Sequence, residues 1–131
     1  MQHTHHDSRS LKGKRGLRRL INAFRYSRDG FAAAWKSEDA FRQEAVLAGL
    51  MIPVALLLPV ALVEKILLIG VVVLVLIVEV LNTAIEAAID RHGHEIHPLA
   101  KQAKDLGSAA VLLALLLAAG VWAAILISRF A

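Results

Sequence analysis

Cysteine is absent from the sequence, which excludes disulfide staples and thiolate metal centres alike and leaves the redox compartment unmarked. No GxxxxGK[ST] loop and no protein-kinase signature occurs anywhere, so any nucleotide chemistry needs another design. The first 30 residues hold no apolar core of the kind a secretory signal peptide carries. No stretch alternates polar and apolar residues as a half-buried strand would, and no internal repeat is visible.

What is present is greasy and charged material, segregated along 131 residues. The chain is 57% hydrophobic and 20% charged, with a formal charge of +4 and a mean hydropathy of +0.59. Positive charge gathers at the N-terminus, where a nucleic-acid arm and a membrane-surface segment are both readable; the apolar remainder favours the membrane, and no nucleic-acid partner is expected. The length suits a single membrane domain over 1–131. Residues 1–16 read as a polar, mobile tail, and His3, His5 and His6 within it as tail residues rather than a metal site. In 17–36, Leu17, Leu20, Ile21, Phe24, Phe31 and Trp35 recur at helical spacing among Arg18, Arg19, Arg25 and Arg28. That pattern predicts an amphipathic helix lying at the headgroup level; a calmodulin-type target or an RNA-binding arm is the weaker alternative.

Three apolar spans follow, at about 38–58, 66–90 and 106–128, each near the roughly 20 residues that cross a hydrocarbon core of about 30 Å. Pro53 inside the first is tolerable where neighbouring helices satisfy the freed carbonyl. Nine lysines and arginines precede the first span and Arg42 stands in its opening turns, and Arg91, Lys101 and Lys104 join these ten from the second link; only Lys65 and Arg129 fall on the other side. Thirteen against two predicts a cytoplasmic N-terminus and an external C-terminus. The expected architecture is an all-α membrane protein, with three transmembrane helices after a surface helix.

The second span does something a plain membrane anchor would not. After twelve residues (66–77) without a polar side chain comes VEVLNTAIEAAIDR, in which Glu79, Asn82, Glu86 and Asp90 occur without a helix breaker. At about 100° per residue they form one stripe roughly 80° wide, with Glu79 about 10 Å below Glu86 along the axis. A charge at the centre of a membrane helix costs about 2.5–3.5 kcal/mol even on lenient scales, so such residues face protein or a wet cleft and carry function by default. Interhelical hydrogen bonding accounts for Asn82 alone; three carboxylates exceed what such glue needs. A divalent cation would offset their repulsion, and an oxygen-only donor set points to Mg²⁺.

Two other segments face the same side. KQAKDLGSAA sets Lys101, Lys104, Asp105 and Ser108 on one helical arc, though the lysines read equally as a solvated face. In WKSEDAFRQE, Ser37 is expected as a helix N-cap, with Glu38 and Asp39 in the first turn as charges favoured by the helix dipole. Acidic groups for a metal, a lysine for a phosphate and a deep carboxylate for proton abstraction are the parts phosphoryl transfer uses. A non-enzymatic proton or cation pathway would use the stripe but leaves Glu38, Lys104 and Asp105 unexplained.

The combination of AFRQE, IVEVLNTAIEAAIDR, HPLAKQAKDLGSAAVLL and an amphipathic arm ending in AAW resembles the bacterial-type diacylglycerol kinase family, small integral membrane lipid kinases, over about residues 17–128. The resemblance implies phosphorylation of a membrane-lipid hydroxyl by ATP with Mg²⁺, in a homotrimeric bundle of the bacterial inner membrane with its active sites on the cytoplasmic side. It implies Glu79 as the catalytic base and Glu38 and Glu86 as the metal carboxylates. ATP contacts are implied at Arg19, Tyr26, Glu38, Glu86, Glu95, Ile96, His97, Lys104 and Asp105. Lipid contacts are implied at Arg19, Ala23, Trp35, Glu44, Glu79 and Ser108, with Asn82 and Asp90 in support. Two positions depart from the family pattern: Arg28 stands where a tryptophan is expected and Pro98 where a glutamate is. Diacylglycerol is the expected substrate, and undecaprenol, used by another branch of the family, the alternative.

Overall fold

The computed structural model describes residues 8–93 and 97–131, with side chains from Gly13 onward. They form four helices: α1 Ser8–Ser37, α2 Asp39–Leu57, α3 Leu62–Asp90 and α4 Pro98–Phe130. There is no strand among the described residues. The last three helices are each long and apolar enough to cross a membrane. α3 and α4 begin before the expected spans, because helix continues past the apolar window where the chain meets no breaker, while α2 is one residue shorter at each end. Residues 8–16, read as tail, are helical; lysine, arginine and leucine are good helix formers and no proline intervenes.

The breaks between helices have local causes. Leu58 turns extended (ψ 142°) because Pro59 disfavours the helical conformation in the residue before it. The carbonyls freed at that corner find cations: Lys65 Nζ donates to Leu56 O at 2.7 Å and Arg129 Nε to Pro59 O at 2.7 Å. α3 ends where Gly93 adopts φ 96°, a left-handed conformation that glycine enters without a Cβ penalty. α4 begins with His97 as N-cap, its Nδ1 accepting from Leu99 N at 3.1 Å, and Pro98 in the first turn, where a missing N–H costs nothing.

At the α1–α2 corner the expected cap is corrected. Ser37 belongs to α1 and its Oγ donates back to Ala33 O at 2.9 Å; Glu38 (φ −122°, ψ 110°) is the N-cap of α2, and its side chain makes no capping bond. Arg42 locks the corner instead, donating to Trp35 O at 2.7 Å and Lys36 O at 3.2 Å while pairing with Asp39. Phe31 of α1 stacks on Phe41 of α2 with centroids 6.4 Å apart.

α3 is the middle element, its backbone close to those of both α2 and α4. Leu68, Val71, Val72, Val75 and Glu79 form its buried line. At the Lys65 end, Ala55, Leu68 and Ile125 join the three helices in a small core flanked by Trp122. Elsewhere large apolar side chains stand exposed, Leu50, Leu57 and Leu113 among them, as lipid-facing residues must. Between α2 and α4, whose backbones do not meet, lies an apolar cleft of about 230 Å³ floored by α3 and lined by Leu47, Met51, Val72, Val75, Leu115 and Ala119. Pro53 sits within α2 without ending it.

Trp122 Nε1 donates to Leu68 O at 3.1 Å, a polar tie between α3 and α4 in otherwise apolar packing. Trp122→Phe keeps the ring and removes the donor, and should lower stability by roughly 0.5–1 kcal/mol. Thermal unfolding in mild detergent reads this; an unchanged midpoint would show that the tie contributes nothing.

Candidate functional site

Of the polar and charged side chains described, Glu79 is the buried one, at 4% exposure. Its depth follows from helical periodicity: it continues the buried line of Leu68, Val72 and Val75 by one more turn. The stripe read from the sequence is therefore the face of α3 that meets its neighbours. Across from Glu79 on α2 lies Glu44, with the two carboxyl groups in hydrogen-bonding reach of each other. Glu38 and Glu86 lie within Coulombic range of Glu79. Four carboxyl groups, from α3, α2 and the cap of α2, thus lie in one region. Glu44 also lines the apolar cleft, and its Oε2 is buried without a hydrogen-bond partner.

One turn above Glu79, Asn82 Nδ2 donates to Glu86 Oε1 at 3.4 Å, while Asn82 Oδ1 is buried and unpartnered. The amide orientation is dictated by Glu86, since a carboxylate oxygen needs the donor end. Higher still, Asp90 pairs with Lys104 of α4 at 2.7 Å. Lys104 and Asp105, adjacent in sequence, take different partners: Asp105 turns along its own helix to Lys101, at 2.6 Å.

The expected site residues thus divide into groups. Glu38, Glu44, Glu79, Asn82 and Glu86 are brought together, with Asp90 and Lys104 bridged at the upper end. Arg19, Ala23 and Tyr26 are exposed on α1, and Asp105 and Ser108 on α4. Trp35 is half exposed and lines a shallow groove with Arg42, Gln43 and Val46. His97 serves as the α4 cap, leaving its Nε2 free of that task. Glu95 and Ile96 lie outside the described residues. Two contributors were missed by motif reading. Arg42 looked like one more surface cation, although it lies one turn after Glu38. Gly107 looked like any helix glycine in an apolar span, but it is buried against Asn82.

Among the described residues, no three acidic or imidazole groups come close enough to hold a metal by themselves. The donor set nevertheless suits a hard cation that keeps water and phosphate ligands, which needs only one or two carboxylates. Glu38 is not spent on capping, and Glu86 is steadied by an amide.

The family model for prokaryotic diacylglycerol kinase matches residues 25–126. The chain is similar to the diacylglycerol kinase of Pseudomonas aeruginosa, 53% identical over 117 residues, covering 89% of this chain and 95% of that one. It is 50% identical over 115 residues to the diacylglycerol kinase of Escherichia coli K12, covering 88% and 94% of the two chains. To that of Helicobacter pylori J99 it is 41% identical over 116 residues, covering 88% and 91%.

The Asp90–Lys104 bridge links α3 to α4, but its side chains are 65% and 43% exposed. An ion pair so open to solvent is worth at most about 1 kcal/mol. Asp90→Asn should therefore shift the thermal unfolding midpoint only slightly in mild detergent. A loss of several kcal/mol would show that the bridge fastens the bundle.

Proposed function

The chain belongs to the prokaryotic diacylglycerol kinase family, and on that ground we propose that it transfers the γ-phosphoryl group of ATP to the hydroxyl of diacylglycerol, yielding phosphatidic acid and ADP. The observation that carries the reading is the position of Glu79: buried, with Glu38 and Glu86 in Coulombic range, and next to Glu44 on the wall of an apolar cleft. A water-soluble acceptor would have no use for that cleft, whereas an acyl chain would.

In this reading Glu79 takes the proton of the lipid hydroxyl as its oxygen forms a bond to the γ-phosphorus and the bond to the β-phosphate oxygen breaks. The hydroxyl enters from the cleft side, displacing the Glu44 carboxyl from beside Glu79. Glu38 and Glu86 are the residues that would hold Mg²⁺, whose chemistry when bound would be to offset negative charge on the phosphates. Lys104 supplies a point charge for the phosphates, exchanging Asp90 for nucleotide. Arg19 and Tyr26 on the exposed face of α1, together with Asp105 and His97, complete the nucleotide contacts; Ala23, Trp35 and Ser108 serve the lipid.

Membrane orientation follows from charge: N-terminus and active site cytoplasmic, C-terminus outside. The working unit is a homotrimer. One chain encloses Glu79 but leaves Asp90, Asp105 and much apolar surface open, and further copies would close over them. A proton or cation pathway fares worse, since below Glu79 the buried line of α3 is Val75, Val72, Val71 and Leu68, which offers no relay.

Purified protein given labelled ATP and, separately, diacylglycerol, undecaprenol and ceramide should label diacylglycerol fastest; preferential labelling of undecaprenol would replace the substrate, and no labelling at all would remove the activity. Within that assay, Glu86→Gln should raise the Mg²⁺ requirement by roughly tenfold or more. Lys104→Ala should raise the KM for ATP while leaving the lipid KM unchanged. Near-normal kinetics in either variant would take that residue out of the site.

A further inference from the structure

Gly107 has an ordinary helical backbone, so its conformational freedom is not what the position uses. In the middle of a helix glycine is worse than alanine by about 1 kcal/mol, and only close approach explains keeping one in a buried place. The neighbour is specific. A Cβ built at Gly107 would overlap Asn82 Oδ1 and come within 3.3 Å of Asn82 Cγ, yet stay 3.9 Å from Asn82 Cβ. The conflict is therefore with the amide group and not with the helix that carries it.

That amide has little freedom to yield. Its nitrogen is directed at Glu86 Oε1, 3.4 Å away, and this turns its oxygen towards α4, where it is buried without a partner. A buried, unpaired amide oxygen is costly, and it is tolerated here because the same orientation gives Glu86 a donor. A flipped amide would set oxygen against carboxylate. A methyl group at 107 would force Asn82 to rotate and withdraw its nitrogen from Glu86.

We propose that Gly107 is a positioning residue of the phosphoryl-transfer site: by leaving room for the Asn82 amide, it holds the Glu86 carboxylate in the orientation used for the Mg²⁺-bound phosphates. The proposal rests on the role given to Glu86 above. It assigns to α4, beyond Lys104, a second contribution to the site, made through absence of a side chain one turn further along the same face.

The test is a cycle of Gly107→Ala and Asn82→Ala, alone and combined, in the full-length protein. Equilibrium binding of a fluorescent ATP analogue is followed across a Mg²⁺ titration, and folding by thermal unfolding in mild detergent. Gly107→Ala should raise the Mg²⁺ concentration for half-maximal nucleotide binding about tenfold, the scale on which groups that orient metal ligands act. Asn82→Ala should do the same. In the double variant the amide is gone, and of the three atoms nearest the added methyl the one that remains is the Cβ at position 82, at ordinary contact distance. It should therefore bind like Asn82→Ala alone, within twofold. If Gly107→Ala fails to fold, a folded double variant with the Mg²⁺ requirement of Asn82→Ala sustains the proposal. An unchanged requirement in Gly107→Ala, an equal further loss in both backgrounds, or a double variant that also fails to fold would overturn it, since Gly107 would then serve general helix packing. A Glu86→Gln control with a normal Mg²⁺ requirement would instead sink the role of Glu86 itself.

Discussion

An ionisable side chain on a membrane helix must be shielded from lipid, and everything distinctive in this structure follows from how Glu79 meets that constraint. Taking a carboxylate to the centre of a spanning helix costs about 2.5–3.5 kcal/mol even on lenient scales. The chain offsets this by making α3 the middle helix, so that its buried face, and with it Glu79, is enclosed by α2 and α4. The same placement brings Glu44, Glu38 and Glu86 near. Shielding one acid thus assembles a cluster of them, whose mutual repulsion makes the region a natural receiver of positive charge.

Polar and apolar work are divided along α3. From Leu68 to Val75 its buried face packs against small and branched residues and one indole, and the cleft there is lined almost wholly by hydrocarbon. From Glu79 to Asp90 every helical turn of the same face presents a polar group, each engaged with a different neighbour: Glu79 with Glu44, Asn82 with Glu86 and Gly107, Asp90 with Lys104. In the proposed reaction such a gradient would join a water-soluble reactant at one end to a lipid at the other. Its turning point from hydrocarbon to polar groups is Glu79.

The helices and the stripe were legible in the sequence because both are periodic: apolar runs near 20 residues mark spans, and spacings of three and four put Glu79, Asn82, Glu86 and Asp90 on one face. What escaped were relations between distant segments. Asp90 and Lys104 pair across a link, and nothing local distinguishes that pairing from a lysine in solvent. Ser37 carried the preferred chemistry of an N-cap, but α1 runs through it, its hydroxyl bonds backward to Ala33, and Glu38 takes the cap position with its carboxylate left free. Gly107 was invisible for a similar reason, since a missing side chain has meaning only beside the group that fills its place. The surface arm posed the opposite difficulty. Its amphipathic pattern was plain, yet Arg19 and Tyr26 lie exposed on α1, where the proposed contacts to nucleotide would have to form.

The central claim is that Glu79 acts as the base on the lipid hydroxyl, and the most direct measurement compares Glu79→Gln with the unaltered protein. Two quantities are needed from the same preparation: turnover of diacylglycerol with labelled ATP, and the equilibrium affinity for Mg-ATP. A base acts only in the transition state. Turnover should therefore fall by a factor of about 10²–10⁴, while Mg-ATP affinity stays within roughly threefold of the original. Substantial turnover by Glu79→Gln, or loss of nucleotide affinity in proportion to activity, would contradict the account.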